Sequence, residues 1–171
     1  MSKFIPNAKK HTYRSYEWSS KPYSQEQIDK EKAEAGKVRQ KYLDKKLSIE
    51  SKELDTVSFK DIYQFPFKMG DMSSWVYDAN DNFIFQFVFG GEKLRNKVIK
   101  ILNGELEEYN RREVKHESGY IKVKVEDEWH DFILIRGWGM MTGIGGYNLD
   151  GEYAGKIQDT LAEYIVEKLN K

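Results

Sequence analysis

The chain has 171 residues, 39% of them apolar and 14% aromatic, and its 28 basic and 28 acidic side chains cancel. That length fits one compact domain with an additional arm, and the apolar content excludes disorder along the whole chain. The absence of Cys excludes thiol catalysis, a Cys-liganded zinc and a disulfide framework.

The longest apolar run, residues 83–89 broken by Gln86, falls far short of the roughly 20 residues a spanning helix needs. Residues 1–6 lack the apolar stretch of a signal peptide. A cytoplasmic location and no membrane partner are therefore expected. The zero net charge conceals a segregation. Residues 1–46 hold 12 Lys/Arg against 6 Asp/Glu, whereas residues 47–171 hold 16 against 22. A basic front can serve an acidic partner or its own acidic body.

Residues 1–23 read as an arm in which Tyr13, Arg14, Tyr16 and Trp18 mix aromatic and basic character, bracketed by Pro6 and Pro22. Ser24 is a candidate N-cap with Gln27 three positions on. A helix over residues 25–47 follows, with a thin stripe of Ile28, Ala35, Val38, Tyr42 and Leu47 on an otherwise charged surface. Residues 1–53 are thus expected to form arm and surface helix, and residues 54–171 the body.

Residues 57–67 suggest a short extended stretch, which Pro66 interrupts. Trp75 to Tyr77 and residues 83–89 predict two strands joined by the polar turn Asp78-Ala79-Asn80-Asp81-Asn82. Phe83, Phe85, Phe87 and Phe89 alternate, which places them together on a core face. A helix over residues 92–102 carries Leu94, Val98, Ile101 and Leu102, and Asn103-Gly104 closes it. The plan then repeats. Ile121, Val123 and Val125 alternate with Tyr120, Lys122 and Lys124; Glu126 to Glu128 turn the chain, and residues 129–136 return it. The run Phe132 to Ile135 predicts a central strand covered on both faces. The last helix, residues 151–169, has the strongest stripe: Ala154, Ile157, Leu161, Ile165 and Leu169. Strand–strand–helix twice over predicts an α+β two-layer sandwich, ββαββα, with an antiparallel sheet and both helices on one face.

The motifs favour binding over catalysis. Asp78 to Asn82 opens like a calcium loop, but Phe83 stands where such a loop needs Gly and Phe89 where it needs a bidentate Glu; a hairpin turn is the better reading. The acidic stretch Glu126, Asp127, Glu128, His130, Asp131 reads as a solvated turn. No nucleophile elbow occurs, and no catalytic residue, metal ligand or cofactor is nominated. The candidate ligand loop is residues 137–148, with Trp138, Gly139, Thr142, Gly143, Gly145, Gly146 and Asn148. Its glycines allow close backbone approach, and it leads into a helix N-terminus, with Asn148 or Asp150 as N-cap, that could hold an anion. It is neither a Walker loop nor G-x-G-x-x-G and has no Lys. The arm residues Tyr13, Arg14, Tyr16 and Trp18 are of the types enriched at binding hot spots.

Two stretches carry a resemblance: Trp75-Val76-Tyr77-Asp78-Ala79-Asn80 running into Phe83-Ile84-Phe85-Gln86-Phe87, and Gly137-Trp138-Gly139 through Thr142-Gly143-Ile144-Gly145-Gly146 to Ile157-Gln158-Asp159. Over residues 70–170 the chain resembles small accessory proteins of tailed bacteriophages and prophages. The resemblance implies a small non-structural protein made in an infected bacterial cell and transfers no site residue. The expected function is non-enzymatic binding that modulates a host or phage macromolecule. The partner is first a protein, then a small nucleotide held by the glycine-rich loop, then nucleic acid.

Overall fold

A computed structural model describes residues 24–71, 74–106, 112–135, 143–144 and 147–171. Contacts divide the chain into two units, Met1–Lys41 and Tyr42–Lys171. In the first, helix α1 (Gln25–Glu50) begins at the capping box foreseen from the sequence: Gln27 N–H donates to Ser24 Oγ (3.2 Å), and Ser24 N–H donates to Gln27 Oε1 (3.0 Å). No described residue up to Lys41 is buried, and Val38 of the thin stripe is half exposed. The last turns of α1 belong to the second unit, where Ile49 is buried and Tyr42 packs on the core.

The second unit is α+β. Strands β1 (Lys68–Met69), β2 (Trp75–Tyr77), β3 (Phe83–Phe87), β4 (Val114–Glu117), β5 (Tyr120–Val125) and β6 (Glu128–Leu134) form one antiparallel sheet in the order β1-β2-β3-β6-β5-β4. Helix α2 (Glu92–Leu102) follows β3; the small hairpin β7 (Gly143–Ile144) and β8 (Tyr147–Asn148) lies between β6 and helix α3 (Gly151–Leu169). Each half therefore carries three strands in the main sheet where two were expected. The additional ones, β1 and β4, are the edge strands, too short and polar to alternate legibly.

Residues 57–67 do not extend. A 3-10 turn at Leu54–Thr56 precedes them, a second at Phe59–Asp61 is closed by a capping box between Ser58 and Asp61, and the stretch buries Val57, Phe59, Ile62 and Phe67.

Two bulges reset the face of each central strand. Trp75 pairs with Gln86, Val76 with Phe85, and Tyr77 with Phe83, which leaves Ile84 as the extra residue of β3. Ile84 and Phe85 are both buried, and Phe83 moves to the opposite face beside Trp75 (ring centroids 4.7 Å) and Tyr77 (5.9 Å). Phe89, beyond the strand, is 41% exposed and stacks on His130. The four alternating phenylalanines thus do not share one face. In β6 the same thing happens: Tyr120 pairs with Leu134, Ile121 with Ile133 and Lys122 with Asp131, and Phe132 is extra. Phe132 and Ile133 are fully buried and Leu134 is half exposed. A bulge, rather than cover on both faces, explains that apolar run.

These registers reveal an internal repeat. Matching them equates Val76 with Ile121, Phe85 with Ile133 and Ile84 with Phe132. Extended to the edges, through Met69↔Val76 and His116↔Ile121, the match equates Phe67 with Val114. Both are held by an asparagine directly after a helix. Asn103 Oδ1 accepts from Phe67 N–H (2.7 Å) while its Nδ2 donates to Phe67 C=O (2.8 Å). Asn170 does the same to Val114, both at 3.0 Å. The equivalents Gln86 and Leu134 face each other across β3 and β6, on the axis of an approximate two-fold. The body is βββα twice, and an asparagine amide occupies the outward hydrogen-bonding groups at each sheet edge.

Candidate functional site

The repeat shows where the halves differ. The connection from strand to helix is residues 88–91 in the first half and residues 135–150 in the second. The second contains the predicted ligand loop. Gly143 and Asn148 pair with each other in the β7–β8 hairpin, beside Ile144↔Tyr147. Ile144 and Leu149 are buried and anchor this hairpin in the core. Trp138, Gly139, Thr142, Gly145 and Gly146 lie outside the described residues, as do Tyr13, Arg14, Tyr16 and Trp18.

At the foot of the connection, Asp150 is the N-cap of α3, its Oδ1 accepting from Gly151 N–H (2.7 Å). Asp150 N–H donates to Glu50 Oε1 (2.7 Å), and Lys46 Nζ sits 3.1 Å from the same oxygen. Tyr153 Oη donates to Lys52 C=O at 2.7 Å. The end of α1 and the start of α3 are thus joined, and two carboxylates take the first donors of the helix N-terminus that the sequence offered to an anion.

The Asp150 N–H holds the Glu50 carboxyl below its ordinary value of 4.5, helped by Lys46 and opposed by burial. A lowered folded-state pKa contributes stability that is present above the unfolded value and lost as pH falls through the folded one. Glu50→Gln is therefore expected to lower the melting temperature near neutral pH, with the gap to the parent closing below about pH 4. Melting curves of both proteins across that range check this.

The turn Asp78 to Asn82 is organised from within. The Asp78 carboxylate is fully buried and accepts from Gln64 N–H (2.9 Å), Asn80 N–H (2.9 Å), Asn82 N–H (2.9 Å) and Asn82 Nδ2 (3.1 Å). Asp81 supplies the left-handed angle, φ 63°. Its Asp/Asn pattern is consumed in fixing the hairpin. The acidic turn after β5 is likewise local, with Glu126 and Asp127 both at positive φ and Asp127 paired with Lys124. Among the described residues no group of His, Asp and Glu is arranged to hold a metal, and no helix is long and apolar enough to cross a membrane.

No family model, curated protein or solved structure matches this chain.

Another described surface is the face of the sheet opposite the core. The bulges give it two characters. Around β2 and β3 it carries Trp75, Tyr77 and Phe83, all half exposed. Around β4 and β5 it carries Lys115, Glu117, Lys122 and Asp131 in a linked set of ion pairs, with Lys115 Nζ 4.5 Å over the Trp129 ring. Sequence reasoning identified the Lys122 and Lys124 face of β5. It missed the aromatic cluster, because only the bulge at Ile84 turns Phe83 outward.

Proposed function

We propose that the chain is a non-enzymatic binding protein, of the accessory kind found in tailed phages and prophages, which modulates a host or phage macromolecule in the bacterial cytoplasm. The observation that carries this reading is the extended connection 135–150. The fold joins a central strand to its helix through residues 88–91 in one half, so the extra length in the other is not required for closure. Long connections on a rigid scaffold are where binding residues concentrate. Trp138, Gly139, Thr142, Gly143, Gly145, Gly146 and Asn148 supply the contact surface, and Tyr13, Arg14, Tyr16 and Trp18 of the arm a second one. The body is in this reading a two-layer sandwich, a ββα unit repeated with one edge strand added to each half. The Tyr164 Oη hydrogen bond to Leu102 C=O, 2.6 Å, supports α2 and α3 lying side by side on the core face.

The test is capture from nuclease-treated bacterial lysate by the tagged full chain, compared with two variants. Trp138→Ala with Thr142→Ala, and the alanine variant of Tyr13, Arg14, Tyr16 and Trp18, are expected to lose a stoichiometric protein partner while melting within about 2 °C of the parent. Capture undiminished in both would overturn the reading.

The nucleotide alternative places a phosphate at the start of α3. The Glu50 and Asp150 carboxylates already on those donors favour the protein reading over it. A nucleotide at 100 times its dissociation constant would add about 2.7 kcal/mol of stability, and a panel of mono-, di- and cyclic nucleotides is expected to leave the melting temperature unchanged.

A further inference from the structure

Asn103 lies where two structural demands meet. Its side chain clamps Phe67, with Oδ1 and Nδ2 engaged at 2.7 and 2.8 Å. Its main chain ends α2. Gly104 N–H donates to Ile101 C=O (3.0 Å) and Glu105 N–H to Lys100 C=O (2.8 Å), a Schellman turn that sets Gly104 at φ 77°. That angle calls for glycine, so the clamp residue is followed by a residue with no side chain to shield its nitrogen. Asn103 is the only Asn of the chain that precedes Gly; its counterpart Asn170 precedes Lys171. An Asn–Gly step is where a side-chain amide is most readily lost. Gly104 N attacks Asn103 Cγ, the N–Cγ bond forms, and Nδ2 leaves as ammonia with the Gly104 proton. Water then opens the cyclic imide, at Cγ to give Asp or at the main-chain carbonyl carbon to give isoaspartate.

The native fold opposes the first step in three ways. A ψ of −2° at Asn103 keeps Gly104 N in the helical position, turned away from Cγ. The Gly104 N–H is already donated to Ile101, and both ends of the amide are bound to Phe67, so Cγ cannot swing towards the nitrogen. We propose that Asn103-Gly104 is a self-modification site that the clamp holds inert: the amide is lost only when the β1 edge opens, and its loss makes the opening permanent. The opening needed is small, since β1 is a two-residue edge strand, and such segments open at a lower free energy than the whole domain. Either product breaks the clamp. Asp sets an oxygen against Phe67 C=O in place of a donor, and isoaspartate adds a methylene to the main chain before Gly104, which shifts the Schellman turn. None of this chemistry depends on the binding role of the connection 135–150.

Incubation of the full chain in mildly alkaline buffer, native and in urea, followed by digestion and mass spectrometry of the peptides holding Asn103 and Asn170, tests this. Conversion at Asn103 is expected to be about tenfold or more slower in the native chain than in urea, with Asn170 unconverted in both. Asp78→Ala releases Gln64 N–H, in the segment before β1, and leaves Asn103-Gly104 intact; it should speed conversion in the native chain. The converted chain, separated by its added negative charge and refolded, should melt about 5 °C or more below the parent. Equal rates in native and urea-unfolded chain, Asn170 keeping pace with Asn103, an unchanged rate in Asp78→Ala, or a converted chain that melts as the parent does would each overturn the proposal.

Discussion

Asp78→Ala is expected to destabilise the protein by about 3–5 kcal/mol, because it strands several buried donors at once. The carboxylate has no exposed surface and is the acceptor for the N–H groups of Gln64, Asn80 and Asn82. Two of these shape the β2–β3 turn. The third ties the segment before β1 to it, and Ala79 N–H donates to Gln64 C=O in support, at 2.9 Å. In a body of this size the change corresponds to a fall of roughly 10 °C in melting temperature. Asp78→Asn keeps the shape and one acceptor oxygen, and should retain part of the loss. Denaturant unfolding of both variants measures it; equal stability of Asp78→Ala and the parent would show that the turn forms without its carboxylate.

Asn103→Ala should cost about 2–3 kcal/mol, the second largest effect, since it removes both hydrogen bonds to Phe67 from a half-buried site. Its counterpart Asn170 is exposed, and Asn170→Ala should cost only about 1 kcal/mol. The two lie at opposite sheet edges, so their effects should add. Asn103→Asp discriminates shape from hydrogen bonding. A carboxylate fits the space and accepts from Phe67 N–H, but sets a second oxygen against Phe67 C=O. It should be no better than alanine. If it matched the parent, the amide would be filling space and the clamp would not be the source of stability.

Helix α3 was legible because five apolar residues recur at helical spacing and all but Ala154 are buried. The faces of β5 were legible because its alternation is unbroken. The bulges were not, since an extra residue in β3 or β6 leaves no mark in a run of apolar side chains; what it changes is which of Phe83 and Ile84, or Leu134 and Phe132, faces the core. The repeat was legible as a rhythm of strands and helices but not as a symmetry. Its strongest markers, the asparagine clamps, join residues 36 and 56 positions apart, beyond any local pattern. The turn at Asp78 was recognised from its Asp and Asn content, yet its link to Gln64 spans 14 positions. At the candidate site, composition pointed to the connection 137–148 and to the helix that follows. The Glu50 carboxylate at that helix start comes from 100 residues away, which no motif could signal.

The proposed binding function requires the connection between β6 and α3 to be a contact surface. Hydrogen exchange of the full chain, alone and bound to the nuclease-resistant protein it captures, tests that most directly. Amides of residues 137–148 are expected to gain protection on binding, while the turn at Asp78 and the asparagine clamps exchange as in the free chain. Exchange over residues 137–148 unchanged by the partner would contradict the account and return that loop to a purely structural role.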